Sequence, residues 1–191
     1  MQTEGTLLLR RSDVEGLLSL RDCIDALEEV FRLQGEGKIP RSEILGVKTP
    51  NGGLHVKAGL LPRGQGYIVA KLNSNFPNNR TRFNRPTIQG LIAIFDAENG
   101  SPLAILDSMD VTIKRTAAAS AVATKYLARI NSSVGTICGC GQQGPRSIAC
   151  NSNCLAAPGG LRFRFKLRGS QDFRGGAVAR TQDRYRSCPQ P

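Results

Sequence analysis

The chain has 191 residues, of which 40% are hydrophobic, so it can bury the core of one domain or somewhat more. No apolar run reaches the ~18 residues of a membrane-spanning helix, and residues 1–4 lack the basic start of a secretory signal, which argues against membrane and exported proteins. The net charge of +11 would suit a nucleic-acid partner, but residues 145–191 hold nine Lys or Arg against two Asp, and residues 1–144 are only mildly basic.

Two helices are predicted after an initial strand. Residues 6–10 (TLLLR) have the composition of a short strand, and Ser12 followed three residues later by Glu15 is a capping-box pattern that begins a helix. A second helix, ending near Gly35, has apolar residues at helical spacing: Ile24, Leu27, Val30 and Phe31.

From residue 44 to residue 107 the pattern changes to strands. Five apolar runs are separated by turn-forming Pro, Asn and Gly and by a polar loop at residues 77–86, and the last two runs predict a hairpin. The runs are residues 44–48, 54–58, 67–72, 88–95 and 103–106. Strands followed by a long helix predict an α/β chain.

The stretch from Ala104 to Gly144 carries the clearest motif. Residues 111–128 predict a helix, because they are rich in Ala and contain no Gly or Pro. Residues 134–138 predict a short strand, and the G-x-G-x-x-G at residues 139–144 follows it directly. Such a motif lets backbone N–H groups approach a pyrophosphate, although Gly-rich turns also occur in many other folds.

Three features together resemble the ornithine cyclodeaminase/mu-crystallin family: the run Arg115-Thr116-Ala117-Ala118-Ala119, the run at residues 125–129, and Gln143 inside the glycine motif. In that family the motif often reads G-x-G-x-Q. The resemblance covers about residues 5–144. It implies a strand-rich substrate-binding and dimerisation domain with flanking helices at residues 1–129, followed at residues 130–144 by the first strand and phosphate turn of an incomplete Rossmann domain.

Residues 145–191 do not continue this pattern. A Rossmann unit needs an amphipathic helix and then a second apolar strand ending in an acidic residue, whereas Pro145 follows the motif directly and no acid stands near residues 161–165. We interpret the segment as an aberrant basic tail, such as a shifted reading frame would give, and expect it to be disordered. A divergent extension is the alternative. Cations and aromatics alternate at residues 162–168, but one such run is weak evidence, and we expect no nucleic-acid partner.

Two lysines lie inside apolar strands, where a charge is costly unless it has a partner: Lys57 and Lys71. Taken singly, basic residues are most often solvated. The resemblance implies that Arg41, Lys57 and Arg115 bind the substrate carboxylate. It also implies that Lys71 binds the substrate at the reacting carbon and is the catalytic residue. Neighbouring positive charges would lower the pKa of Lys71, which suits proton transfer.

The resemblance also implies that NAD or NADP is the cofactor and that it is contacted by Thr87, Arg115, Thr116, Gly139, Gly141, Gln142 and Gln143. On their own, the two threonines would equally suit a strand and a first helical turn. His55, the only histidine, has no Ser or Cys partner arranged around it. We therefore expect a packed or hydrogen-bonded strand residue rather than a catalyst.

The six cysteines show neither a disulfide framework nor the usual C-x2-C spacing of a zinc site, so we expect a reducing, cytoplasmic compartment and no metal. By resemblance, the function is NAD(P)-dependent chemistry at the α-carbon of a small amino or imino acid, either deaminating cyclisation or ketimine reduction. The family also implies a homodimer, and the short apolar runs give no reason to expect a membrane partner. Because the Rossmann part is incomplete, we expect the chain alone to be inactive. The alternatives are a non-catalytic, mu-crystallin-like ligand-binding protein and an inactive fragment.

Overall fold

The computed structural model describes residues 5–129, 132, 134–138, 147, 162–166 and 178–180. The helices are α1 (Arg11–Leu17), α2 (Leu20–Gly35), α3 (Asn79–Phe83) and α4 (Met109–Leu127). The strands are β1 (Leu7–Leu9), β2 (Glu43–Thr49), β3 (Gly52–Leu61), β4 (Tyr67–Asn75), β5 (Ile88–Asp96), β6 (Pro102–Asp107), β7 (Val134–Cys138), β8 (Arg162–Lys166) and β9 (Val178–Arg180). The predicted α/β class is confirmed.

The chain divides into two compact units, of which the first comprises residues 1–19 and 30–112. This unit is built on a six-stranded sheet with the strand order β1-β6-β5-β4-β3-β2. From β2 at one edge to β6, each strand is antiparallel to the next. Strand β1, at the other edge, is parallel to β6. The five strands predicted between residues 44 and 107 are all present and are one to five residues longer than predicted, with β3 extended most.

Side-chain alternation gives the sheet two different faces. The first, which we call the lysine face, contains Lys57, Lys71 and Ile92 in neighbouring strands, and Ile92 is buried. The second, which we call the apolar face, carries aliphatic side chains from all six strands that are 37–70% exposed in the single chain. They are Leu8, Leu45, Val47, Leu60, Ile68, Leu91 and Ile105.

Helix α1 begins differently from the predicted capping box. The Arg10 backbone N–H donates to Asp13 Oδ2 at 2.8 Å, and the helix starts at Arg11. The prediction that Ser12 and Glu15 form the box is therefore wrong. The acidic side chain three residues after Arg10 satisfies an N–H group that the helix itself leaves without a partner.

Two further boundaries follow from local hydrogen bonds. Helix α4 starts at Met109, two residues before the predicted start, because Asp107 Oδ1 accepts the Met109 N–H at 2.8 Å. The predicted loop at residues 77–86 contains the short helix α3, which is followed by the capping residue Asn84 with φ of 51°. Asn is one of the few residues that adopts this left-handed conformation readily.

The second unit comprises residues 20–29 and 113–191. Within it, Lys125 Nζ donates to both carboxylate oxygens of Glu28, at 2.7 and 2.9 Å, and the Tyr126 hydroxyl donates to the same carboxylate. These bonds join the first part of α2 to the end of α4.

A three-stranded sheet in the order β7-β8-β9 also belongs to the second unit. Strands β7 and β8 are parallel, with Val134 opposite Arg162, whereas β8 and β9 are antiparallel. A parallel pair of this kind is the arrangement with which a dinucleotide-binding unit begins. Strands β8 and β9 lie within residues 145–191, and most of that segment is outside the described residues, so the expectation of a disordered tail stays a prediction for the remainder.

Candidate functional site

The two strand lysines lie side by side on the lysine face. Lys57 in β3 is directly opposite Lys71 in β4, so their side chains leave the sheet in the same direction. Lys57 is exposed and Lys71 is half-buried. Two ammonium groups on one face form a site of concentrated positive charge, which suits a carboxylate ligand.

The ammonium of Lys71 is anchored by a threonine at the start of α4. Lys71 Nζ donates to Thr112 Oγ1 at 2.7 Å, and Thr112 Oγ1 donates to the Ser108 carbonyl oxygen at 2.6 Å. Thr112 is 8% exposed and Ser108 is completely buried. The ammonium group of Lys71 is thus held by a buried hydroxyl that is itself hydrogen-bonded.

Ser108 connects this anchor back to the sheet. Its backbone N–H donates to the Gly90 carbonyl oxygen at 3.0 Å, and its hydroxyl donates to Asn73 Oδ1 at 2.8 Å. Asn73 lies on the lysine face two residues after Lys71, opposite Gly90. A Cβ at residue 90 would come within 2.5 Å of Asn73 Oδ1, so only glycine leaves room for the amide there.

His55 extends the polar row across the lysine face. It stands opposite Asn73 in β4 and Gly46 in β2. The expectation that it is a strand residue is confirmed, but its side chain is exposed rather than packed.

Arg41 and Thr87 lie at the ends of strands in the first unit. Arg41 is exposed, two residues before β2. Thr87 is half-buried immediately before β5, and its carbonyl oxygen accepts the Phe76 N–H at 2.9 Å. The structure thus brings Lys57 and Lys71 together, whereas the roles of Arg41 and Thr87 stay predictions.

Arg115 and Thr116 lie on the part of α4 that belongs to the second unit. Arg115 is exposed, and the Thr116 carbonyl oxygen accepts the Ser120 hydroxyl at 3.2 Å. Their approach to the lysines stays a prediction. Four other predicted cofactor contacts, Gly139, Gly141, Gln142 and Gln143, lie outside the described residues.

Sequence reasoning missed Asn73, Ser108 and Thr112. The available signal was a serine followed four residues later by a threonine at the start of a helix, a spacing at which a hydroxyl bonds back to the preceding turn. Within the described ranges, no helix is long and apolar enough to cross a membrane. The same ranges hold no group of three metal-binding side chains.

Alanine dehydrogenases are among the known proteins that this chain resembles in sequence and in structure. Alanine dehydrogenase from Archaeoglobus fulgidus is 37% identical over 138 residues, which are 72% of this chain and 42% of that protein. A solved archaeal alanine dehydrogenase dimer with bound NAD superposes with a TM-score of 0.73 at 34% identity, over 84% of this chain and 48% of that one.

A second solved structure is Δ1-pyrroline-2-carboxylate reductase from Thermococcus litoralis in complex with NADH and L-proline. It gives a TM-score of 0.70 at 34% identity, over 78% of this chain and 46% of that one. The chain therefore spans less than half the length of these relatives. The family model for ornithine cyclodeaminase and mu-crystallin matches residues 4–154, ten residues beyond the point where the sequence resemblance was expected to end. With the fold, the relatives and this match in agreement, the chain belongs to the ornithine cyclodeaminase/mu-crystallin family.

Proposed function

We propose that this chain carries the substrate-binding half of an NAD(P)-dependent enzyme that acts at the α-carbon of a small amino or imino acid. The observation that carries the proposal is the pair Lys57 and Lys71 on one face, with Lys71 held by Thr112. Of the similar solved structures, the alanine dehydrogenase contains NAD and the pyrroline-2-carboxylate reductase contains NADH and L-proline.

In this proposal the two lysines have different roles. Lys57, which is exposed, binds and orients the substrate carboxylate together with Arg41 and Arg115. Lys71, which is half-buried and anchored, exchanges a proton with the amino or imino acid next to the α-carbon. A positioned charge matters because it removes the cost of orienting the reacting groups during the reaction.

The second unit has features that fit a dinucleotide. Strand β7 precedes the glycine motif of residues 139–144, and β7 pairs in parallel with β8. Gly139, Gly141, Gln142 and Gln143 would hold the pyrophosphate, and Thr87, Arg115 and Thr116 would contact the rest of the cofactor. When bound, a nicotinamide cofactor supplies the hydride exchange at the α-carbon.

We further propose that the protein forms a homodimer through the apolar face. Seven aliphatic side chains from six strands are exposed there, among them Leu45 and Leu91 at 60% and 51%. A contiguous exposed apolar surface on a sheet is typical of a protein interface. A relative in the same family is described as a dimer.

Binding of L-proline, L-alanine and L-ornithine, followed by NMR chemical shifts, tests the lysine site directly. We expect Lys57→Met and Lys71→Met each to weaken binding by about tenfold or more, because a hydrogen bond to a charged group contributes roughly 1.5–3 kcal/mol. Lys48→Met is the matched control. Lys48 lies on the same face in β2, four residues after Ile44, which is the residue opposite Lys57. Equal affinities in all four proteins would refute the proposed site.

The nicotinamide absorbance, recorded in the same samples with NAD or NADP, separates an enzyme from a ligand-binding protein. Carboxylate binding with a Lys71-dependent change in absorbance supports catalysis. Binding without any change supports the non-catalytic alternative or an inactive fragment.

A further inference from the structure

Thr112 can only accept a hydrogen bond from Lys71. Its hydroxyl has one hydrogen, and the Ser108 carbonyl oxygen, 2.6 Å away, has none to give. The hydroxyl hydrogen therefore points at Ser108, and the lone pairs face Lys71 Nζ at 2.7 Å. This arrangement sets both the place and the direction of one N–H bond of Lys71.

The hydroxyl is itself fixed from several sides. Thr112 is β-branched and buried, so its side chain has few alternative rotamers. Its carbonyl partner belongs to Ser108, which is bound to β5 through the Gly90 carbonyl and to β4 through Asn73 Oδ1. The position of Lys71 Nζ is thus fixed relative to strands β4 and β5.

The neighbouring lysine shows what this anchor adds. Lys57 has the same flexible four-carbon stem and lies directly opposite in the sheet, but it is exposed. A mobile ammonium is adequate for attracting a carboxylate. Proton transfer to a group next to the α-carbon instead requires Lys71 Nζ to stay within hydrogen-bond distance of one position.

We propose that Thr112 is a positioning residue that holds the Lys71 ammonium in the orientation needed for proton transfer. This inference rests on the proposed role of Lys71. It assigns a function to a residue whose sequence context indicates only the first turn of a helix.

The test compares Thr112→Val, which has nearly the same shape without the hydroxyl, with Thr112→Ser, which keeps the hydroxyl. The chain is acetylated briefly with a limiting reagent, and mass spectrometry measures the labelling of Lys71 relative to Lys57 in the same molecule. A general loss of stability would affect both lysines, so their ratio isolates the anchor. Thermal unfolding shows which variants are folded, and Thr112→Ala replaces the valine variant if that one does not fold.

We expect Thr112→Val to change the Lys71:Lys57 labelling ratio by about threefold to tenfold, the effect of one net hydrogen bond, and Thr112→Ser to stay within about twofold of the unmodified chain. An unchanged ratio in Thr112→Val would overturn the inference. Equal changes in the valine and serine variants would also overturn it, because they would point to packing rather than to the hydroxyl.

Carboxylate binding distinguishes this inference from the proposed function. If Lys71→Met binds L-proline as well as the unmodified chain, the substrate role of Lys71 fails, whatever the labelling ratio shows. If Lys71→Met loses binding and Thr112→Val leaves the labelling ratio unchanged, the site stands and only the positioning role of Thr112 fails.

Discussion

A methyl group at residue 90 would collide with strand β4, which makes Gly90→Ala a direct test of how the polar row is built. An alanine Cβ there would lie 2.1 Å from the Leu72 carbonyl oxygen, 2.5 Å from Asn73 Oδ1 and 2.9 Å from Asn73 Cα. Protein Cβ atoms essentially never come within 3.0 Å of such neighbours. Two of the three are backbone atoms of a central strand, so a side-chain rotation cannot relieve the clash.

The cost can be worked from these contacts. Overpacking of this kind costs about 1–3 kcal/mol, and loss of the Ser108–Asn73 hydrogen bond adds about 1 kcal/mol. Alanine recovers roughly 0.5–1 kcal/mol because it loses less chain entropy than glycine. We therefore expect Gly90→Ala to lower the free energy of unfolding by about 1–3.5 kcal/mol, measured by urea unfolding with circular dichroism.

Two other glycines provide matched controls. Gly46→Ala places its Cβ on the same face at 3.8 Å from His55 Nδ1, which is an ordinary contact, and should be close to neutral. Gly16→Ala in helix α1 meets nothing within 4 Å and should stabilise the chain by about 0.5–1 kcal/mol. If Gly90→Ala unfolds at the same urea concentration as Gly46→Ala, the close pairing of β4 and β5 at Asn73 is refuted.

Two further predictions concern the apolar face and the second unit. Leu91→Lys should shift the protein from dimer to monomer in sedimentation velocity, because it buries a charge in the proposed interface. Leu17→Lys is the control and should leave the dimer intact, because Leu17 is exposed in α1 rather than in the sheet. A monomeric unmodified chain would contradict the interface. Lys125 and then Tyr126, through their hydrogen bonds, hold the pKa of Glu28 below its ordinary value of 4.5, so the stability that Glu28 contributes is present above that value and is lost as the pH falls through the lowered pKa. Glu28→Gln should remove that part of the acid dependence of thermal unfolding, and an identical pH profile would show that these bonds do not contribute.

Much of the six-stranded sheet and of helix α4 could be predicted because the signals are local. Alternating apolar residues give strands β2 to β6, and the alanine-rich run gives α4. The start of α1 was mispredicted because the segment contains two possible capping boxes, one from Ser12 to Glu15 and one from Arg10 to Asp13. The choice between them depends on where β1 ends. Helix α3 is only five residues long and stands in a polar segment without periodic apolar positions.

The site was only partly predictable for a different reason. Lys57 and Lys71 each stood out as a charge in an apolar strand, but their pairing depends on the register of β3 against β4, which the sequence pattern alone does not set. Thr112, Ser108 and Asn73 carry no charge, and the spacing of Ser108 and Thr112 is a weak signal, because hydroxyls and amides are common at helix starts and in strands. Their importance arises from contacts between residues 35–41 positions apart in the chain.

The lysine pair itself implies a trade between stability and binding. Like charges directly opposite each other in a sheet destabilise it by about 0.2–1 kcal/mol, so Lys57 and Lys71 repel each other unless an anion lies between them. Lys57→Met should therefore raise the free energy of unfolding by up to about 1 kcal/mol at low salt while it weakens carboxylate binding. Lys48→Met, which faces Gly53 instead of a charge, should change stability by less than about 0.5 kcal/mol.

The gain in stability of Lys57→Met should shrink in 1 M salt, because Lys57 is exposed and its repulsion is screened. A less stable Lys57→Met chain at low salt would mean that the lysine stem contributes more by packing than its charge costs. A gain in stability together with a loss of binding would indicate that the repulsion is retained because the site binds an anion.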